Sequence, residues 1–269
     1  ADPDYYAPFA DTARNWYREC AAKVLFMNHV IVDPPVDRNR PPSEARDVYV
    51  HVVKETDGGI VVSGAKQVAT ASALTHATFV GVNSGSAARL QEGRDEDLAL
   101  VFFVRMDNPN QILISRASYE LKAESPFDSP LASRFDENDA FLVLDNAFIP
   151  WEDVLVYRDV PKAKRFYADS GFFNRFNFQT TIRMAIKTEF MIGLLQKSLE
   201  CNGTADFRGN QVLVGEIVAM RHLFWSLVTA MAHDPEPSLG GSVVPRLEYA
   251  AAARIYTNFA WDRIRQIYE

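Results

Sequence analysis

Apolar residues recur every three or four positions over residues 9–27, FADTARNWYRECAAKVLFM, with Ala13, Trp16, Tyr17, Cys20 and Val24 on one stripe. That spacing predicts a helix, with Asp11 placed to cap it. The period then changes to two. In DVYVHVVKETDGGIVVSGAK, Val48, Val50 and Val52 fall on one face and Tyr49, His51 and Val53 on the other. Thr56-Asp57-Gly58-Gly59 supplies the residues of a tight hairpin turn. Further strands are expected in ALTHATFVGV, LALVFFVRM, QILISRAS and AFLVLDNAFIP. Together they predict an antiparallel β domain over about 28–158, large enough for a barrel or sandwich.

From about residue 174 the pattern is helical to the end. TIRMAIKTEFMIGLLQKSLECNG closes on Asn-Gly, a helix stop. In NQVLVGEIVAMRHLFWSLVTAMAHD, Leu213, Ile217, Met220, Phe224, Leu227 and Met231 form one stripe before a Pro-rich turn at 235–245. Pro245 opens a third helix that reaches Glu269 uncapped, with Phe259, Ile264 and Ile267 still offered for burial, so the chain is expected to be truncated there. Long amphipathic helices joined by short turns imply an antiparallel bundle. The expected division is 1–27 as the end of an N-terminal helical domain, 28–160 as a middle β domain, and 161–269 as the first part of a C-terminal bundle.

The composition, 48% hydrophobic and 23% charged over 269 residues, is that of a globular chain rather than a disordered one. A net charge of −7 gives no support to a broad nucleic-acid-binding face. No uninterrupted apolar run approaches the roughly 20 residues of a membrane span, and no cleavable signal pattern opens the chain. Cys20 and Cys201 lie far apart without ligand-like neighbours, which argues against a disulfide framework and favours a reducing, cytoplasmic setting. Asn202-Gly203-Thr204 matches a glycosylation sequon but reads better as a helix stop.

Helix, β domain and bundle, in that order, form an α+β chain with the acyl-CoA dehydrogenase-like architecture. Several stretches then narrow the resemblance: ARNWYRE, NHVIVDPPVDRNRP, KETDGGIVVSGAKQVATASALTH, LISRASYE, SRFDENDAFLVLDNAFIPWEDVLVYRD, QKSLECNGT and FRGNQVLVGEIVAMRHLFW. They resemble the large, oxygenase component of the two-component 4-hydroxyphenylacetate 3-monooxygenases, with their chlorophenol- and tyrosyl-hydroxylating relatives. The resemblance runs through nearly the whole chain and covers part of a family protein roughly twice as long. It implies reduced FAD taken from a separate flavin reductase, reaction with O2 to a flavin hydroperoxide, and ortho-hydroxylation of a phenol such as 4-hydroxyphenylacetate. It implies no nucleic-acid or membrane partner, and a homo-oligomer, dimer or tetramer.

Such chemistry needs a group to polarise or remove the phenolic proton, whose pKa is about 10, and histidine suits that task near neutral pH. It also needs a closed apolar site. By the resemblance, His29 of NHVIVDPP binds the phenolic hydroxyl. A satisfied histidine at a strand start is the reading from the residues alone. Val32 corresponds to the strand edging the isoalloxazine ring. Arg38, after Pro34-Pro35, suits flavin or its phosphates, or with Arg40 it lies on a solvated loop. Thr70, after Gly64-Ala65-Lys66, corresponds to the threonine that bonds near flavin N5, or is merely a β-branched strand residue. Ser72 is a second flavin candidate. Ser84 and Ser86, in the 82–97 loop, are candidate polar contacts for the distal end of the substrate, although such loops are often only connections. His76 lies where a strand approaches that loop.

Asp136, Glu137 and Asp139 read as a polar hairpin turn rather than a metal or acid/base site. His222 reads as a packing or interface histidine, and His51 and His233 as surface. The family's Arg-Ser-Pro-Asp-Tyr motif has no counterpart here, because Ala1-Asp2-Pro3-Asp4-Tyr5-Tyr6 lies too close to His29. Three other readings stand beside the oxygenase. A flavin and iron–sulfur dehydratase would need clustered cysteines. An acyl-CoA dehydrogenase would need a glutamate base, and a helical assembly module would bind no flavin.

Overall fold

The computed structural model describes residues 2–37, 39–238 and 241–269. The chain divides into two units, 2–166 and 167–269. The boundary falls a few residues beyond the expected 160, inside a helix, α3 (Val160–Asp169).

In the first unit, α1 spans Ala10–Lys23 and ends where Val24 turns left-handed, so that β1 (Met27–Val30) begins inside the stretch expected to be helical. Phe9, not Asp11, occupies the cap position, and Asp11 pairs with Arg14 instead. The buried positions of α1 are Thr12 and Trp16, while Tyr17 and Val24 face solvent. Rather than standing apart, α1 packs on the β unit. Trp16 stacks on Phe103 at 4.3 Å, and its Nε1 donates to the buried Asp153 at 2.9 Å. Arg105 lies over the same indole and donates to both carboxylate oxygens of Glu19.

The hairpin forms as the turn residues require, β2 (His51–Thr56) joining β3 (Gly59–Lys66) through Asp57-Gly58. The other strands are β4 (Ala77–Val80), β5 (Leu100–Arg105), β6 (Gln111–Ser115), β7 (Ala140–Pro150) and β8 (Val154–Tyr157). They make two four-stranded sheets, ordered β1-β4-β5-β8 and β2-β3-β7-β6. The expected all-antiparallel domain needs one correction: β1 and β4 run parallel, with Asn28 opposite Thr78 and His29 opposite Phe79. The chain leaves β1, builds the β2–β3 hairpin in the other sheet and then returns, a long crossover of the kind parallel pairing demands.

The two sheets close over one core containing Val30, Ile60, Val62, Val80, Leu100, Phe102, Leu142, Leu144 and Ile149. Alternation explains the second core of this unit. Phe102 and Val104 point between the sheets, while Val101 and Phe103 point out against Tyr6, Leu90, Leu155 and Val160. Along β7 the inward positions shift phase, from 140, 142 and 144 to 147 and 149, because Asn146 is an extra residue at φ 55. On β3, Gly64, the register partner of Leu144, sits so close to Tyr49 that a Cβ would lie 2.2 Å from the Tyr49 carbonyl oxygen. The 82–97 loop is more ordered than expected, folding into a short helix, α2 (Ser84–Arg89), capped by Asn83.

The second unit holds α4 (Phe172–Cys201), α5 (Arg208–His233) and α6 (Leu247–Tyr268), with a two-residue strand pair, β9 (Glu236–Pro237) and β10 (Val243–Val244), in the Pro-rich turn. Its core joins Met184, Ala185, Leu195, Ile217, Phe224, Ala260 and Ile264. Of the expected terminal stripe, Ile264 is buried and Phe259 is exposed. By length and composition α5 is long and apolar enough to cross a membrane, which corrects the expectation drawn from uninterrupted runs. Charged residues interrupt its sequence, and Glu216 pairs with Arg263 and Arg221 with Glu189 on the neighbouring helices.

Candidate active site

Val30 enters the core, so Asn28, two positions earlier, points to the same side of β1 and His29 to the other. A half-buried amide must find partners. Asn28 Nδ2 donates to the Thr70 carbonyl at 2.8 Å and to Ser72 Oγ at 2.6 Å, and Oδ1 accepts from Thr78 Oγ1 at 2.6 Å. One side chain therefore ties β1, β4 and the 67–76 segment together. His29, next along the chain, opens to solvent, while the protein around the rest of the ring pushes its pKa below the ordinary 6.5. Desolvation disfavours the imidazolium. The imidazole is neutral at pH 7 and can accept a proton.

The 67–76 segment is strained and pinned. Val68 and Ala71 both take φ near 60, which is costly for a β-branched residue and persists only when its surroundings fix it. Gln67 N donates to the Val32 carbonyl, Ala69 N to Ala140 and Ala71 N to Asn138, each at 2.9 Å. Thr70 is half-buried, and its Oγ1 donates to Asp139 Oδ1 at 2.5 Å. Val68 and Leu74 beside it are exposed. Asn138 Oδ1 is buried without a hydrogen-bond partner, although its Nδ2 donates to the Arg116 carbonyl. A threonine oxygen whose proton is committed to Asp139 and two exposed apolar side chains fit a flat heterocycle carrying an N–H donor, such as flavin.

A second feature lies beyond Val32. Asp33 and Lys66 form a buried ion pair at 2.6 Å with side-chain exposures of 7% and 4%, and Ser86 Oγ donates to the other Asp33 oxygen at 2.6 Å. Above them opens a cleft of about 240 Å3 lined by Val32, Pro34, Val36, Tyr49, Asn83 and Arg89, among others. Arg89 donates to the Tyr49 hydroxyl and the Arg40 carbonyl.

Of the expected site residues, Thr70 and Ser72 are brought together through Asn28, Val32 is tied to the same segment through Gln67, and His29 follows Asn28 on the opposite side of β1. Ser72 needs correction as a cofactor contact: it is 1% exposed and its hydroxyl accepts from Asn28. Ser86 needs the same correction as a substrate contact, since it is buried and committed to Asp33. Ser84 is exposed at the start of α2. Arg38 lies outside the described residues, and Arg40 pairs with Glu44 on the surface. His76 accepts from the Phe26 amide through Nδ1. His222 and His233 are exposed, whereas His51 is half-buried with Nδ1 on the Tyr49 carbonyl.

The acidic stretch is not a tight turn. It ends a long connection between β6 and β7, where Asp136 pairs with Arg116 and Asp139 holds Thr70. Sequence reasoning missed Asn28, Asp33, Lys66 and Asp139. The available signal was a polar residue at an inward strand position, which Asn28 and Lys66 both show.

Comparison with known proteins identifies the family. Residues 1–156 match the family described as 4-hydroxyphenylacetate 3-hydroxylase, N terminal, and residues 163–269 its C-terminal counterpart. Over all of this chain, it is 54% identical to the pyoverdin chromophore biosynthetic protein PvcC of Pseudomonas aeruginosa, covering 53% of that protein. It is 48% identical to the 4-hydroxyphenylacetate 3-monooxygenase oxygenase component of the same organism, covering 52% of it. A crystal structure of the oxygenase component of 4-hydroxyphenylacetate 3-monooxygenase, complexed with FAD and 4-hydroxyphenylacetate, superposes with a TM-score of 0.86 at 30% identity, covering 98% of this chain and 55% of that one. The chain thus spans about half the length of the relatives it matches, and it belongs to the 4-hydroxyphenylacetate 3-hydroxylase family.

Proposed function

We propose that the protein carrying this chain is the oxygenase component of a two-component, FAD-dependent monooxygenase that ortho-hydroxylates a phenol such as 4-hydroxyphenylacetate. Reduced FAD, delivered by a separate reductase, supplies the electrons with which O2 is activated. The carrying observation is the bond from Asn28 to the Thr70 carbonyl. It sets a proton-accepting histidine and a hydroxyl suited to flavin on neighbouring, mutually fixed pieces of backbone.

His29 holds the phenolic hydroxyl and takes its proton, which enriches the ring carbon ortho to it for attack. The depressed pKa keeps the imidazole in the required neutral form. Thr70 faces the flavin, and Asn28 fixes the carbonyl behind it. Val68 and Leu74 offer apolar surface to the ring system and help exclude water. The exposed Phe190, Leu223 and Phe259 of the helical unit support a homo-oligomer, a dimer or tetramer.

The test is product analysis of the full-length protein supplied with reduced FAD, O2 and a panel of phenols. An ortho-diol from 4-hydroxyphenylacetate or a related phenol is expected. A protein that binds reduced FAD yet hydroxylates no phenol would refute the proposal.

A further inference from the structure

Thr70 has one hydroxyl proton, and the structure shows where it goes. An ionised carboxylate can only accept, so in the 2.5 Å contact between Thr70 Oγ1 and Asp139 Oδ1 the threonine is the donor. Its remaining capacity is lone pairs. Asp139 cannot turn away easily. Its backbone carbonyl accepts from Arg116 N, and its neighbours Asn138 and Ala140 accept from Ala71 N and Ala69 N, on either side of Thr70. The Thr70 carbonyl is held from behind by Asn28. The hydroxyl is therefore a fixed acceptor, half-buried between the exposed side chains of Val68 and Leu74.

Flavin differs between its redox states at just this kind of contact. The reduced ring carries a hydrogen on N5 and donates there. The oxidised ring presents a lone pair and accepts. We infer that Asp139 is a positioning residue that, through Thr70, makes the site select reduced over oxidised flavin. The inference rests on the reading of Thr70 as a flavin contact. Reduced FAD gains a charge-assisted chain from N5–H through Thr70 to Asp139, whereas the N5 lone pair of oxidised FAD meets an acceptor. An oxygenase that takes reduced flavin from solution and must release the oxidised form needs this asymmetry. The preference expected is about tenfold, the worth of one hydrogen bond.

The experiment is anaerobic titration of the full-length protein with oxidised and with dithionite-reduced FAD, with the potential of the bound flavin as a second readout. The wild type should bind the reduced form about tenfold more tightly, raising the bound potential by about 30 mV for this two-electron couple. Asp139→Ala removes the acceptor and frees the Thr70 proton to point outward, so the preference should vanish or invert. Thr70→Ser should keep it. Thr70→Val should weaken reduced FAD and leave oxidised FAD unchanged or tighter, a signature that decides the matter even if Asp139→Ala does not fold.

A Thr70→Val protein that loses oxidised FAD instead would show the hydroxyl donating to flavin and overturn the inference. So would an Asp139→Ala protein that folds and keeps the wild-type ratio. If Thr70→Val leaves both affinities and the potential untouched, it is the placement of flavin at Thr70 that fails.

Discussion

Asn28 and Thr78 face each other across the parallel pair β1–β4, and the threonine hydroxyl donates to the amide oxygen at 2.6 Å. The same amide holds Thr70 and Ser72 through its nitrogen. Asn28→Ala removes three hydrogen bonds and leaves the buried Thr78 and Ser72 hydroxyls each short of a partner. The expected loss is about 2–4 kcal/mol, read by urea denaturation, with faster amide exchange confined first to residues 67–76. Exchange rising evenly over the whole unit would mean that Asn28 holds the sheet rather than the segment.

His29 should matter to chemistry and little to folding, because it is exposed on the outward side of β1. His29→Ala should keep stability within about 1 kcal/mol and lower hydroxylation by about 10²-fold or more. In the wild type, the acid limb of the rate profile should have its midpoint below 6.5, since burial lowers the imidazole pKa. Near-normal turnover by the variant, or an acid limb that persists in it, would take His29 out of the mechanism.

The Asp33–Lys66 pair makes a sharper stability prediction. Lys66→Met strands a carboxylate that is 7% exposed, at an expected cost of about 3–5 kcal/mol. Adding Asp33→Asn should restore much of that, since the remaining amide can still accept from Ser86. A double variant no more stable than Lys66→Met would show that packing by the lysine stem, not the unpaired charge, is what was lost.

Acid should loosen α1 through Glu19. Hydrogen bonds from Arg105 and Lys23 hold its carboxyl at about 2, against an ordinary 4.5. The stability this gives is fully present above 4.5 and disappears as pH falls toward 2. Glu19→Gln should flatten the acid unfolding curve across that window. Asp153 works in the opposite sense, because burial raises its pKa and it takes up its proton earlier. Identical acid curves for Glu19→Gln and wild type would remove the Arg105–Glu19 pair as a pH-dependent clamp.

Local pattern revealed the hairpin at Asp57-Gly58, the alternation of β7 and the three long helices, because each is set by residues close in sequence. The parallel pairing of β1 with β4 was hidden, since no local period records which distant strand lies alongside. The site divides the same way. His29 and Thr70 stood in recognisable stretches, whereas Asp139 acquires its role only when β7 brings it to Thr70, 69 residues away in sequence. Ser86 misled for a related reason: serine in a Gly-containing loop reads as solvent-facing until a buried carboxylate appears beneath it.

The crossover between β1 and β4 also governs when the site can exist. The β2–β3 hairpin closes over two residues and can form in about 1–10 μs. Asn28 meets Thr70, Ser72 and Thr78 only after loops of 42, 44 and 50 residues have closed. Contacts so distant in sequence are paid for late in folding. A chain emerging from the ribosome therefore completes its hairpin long before Asn28 fixes the segment that carries Thr70.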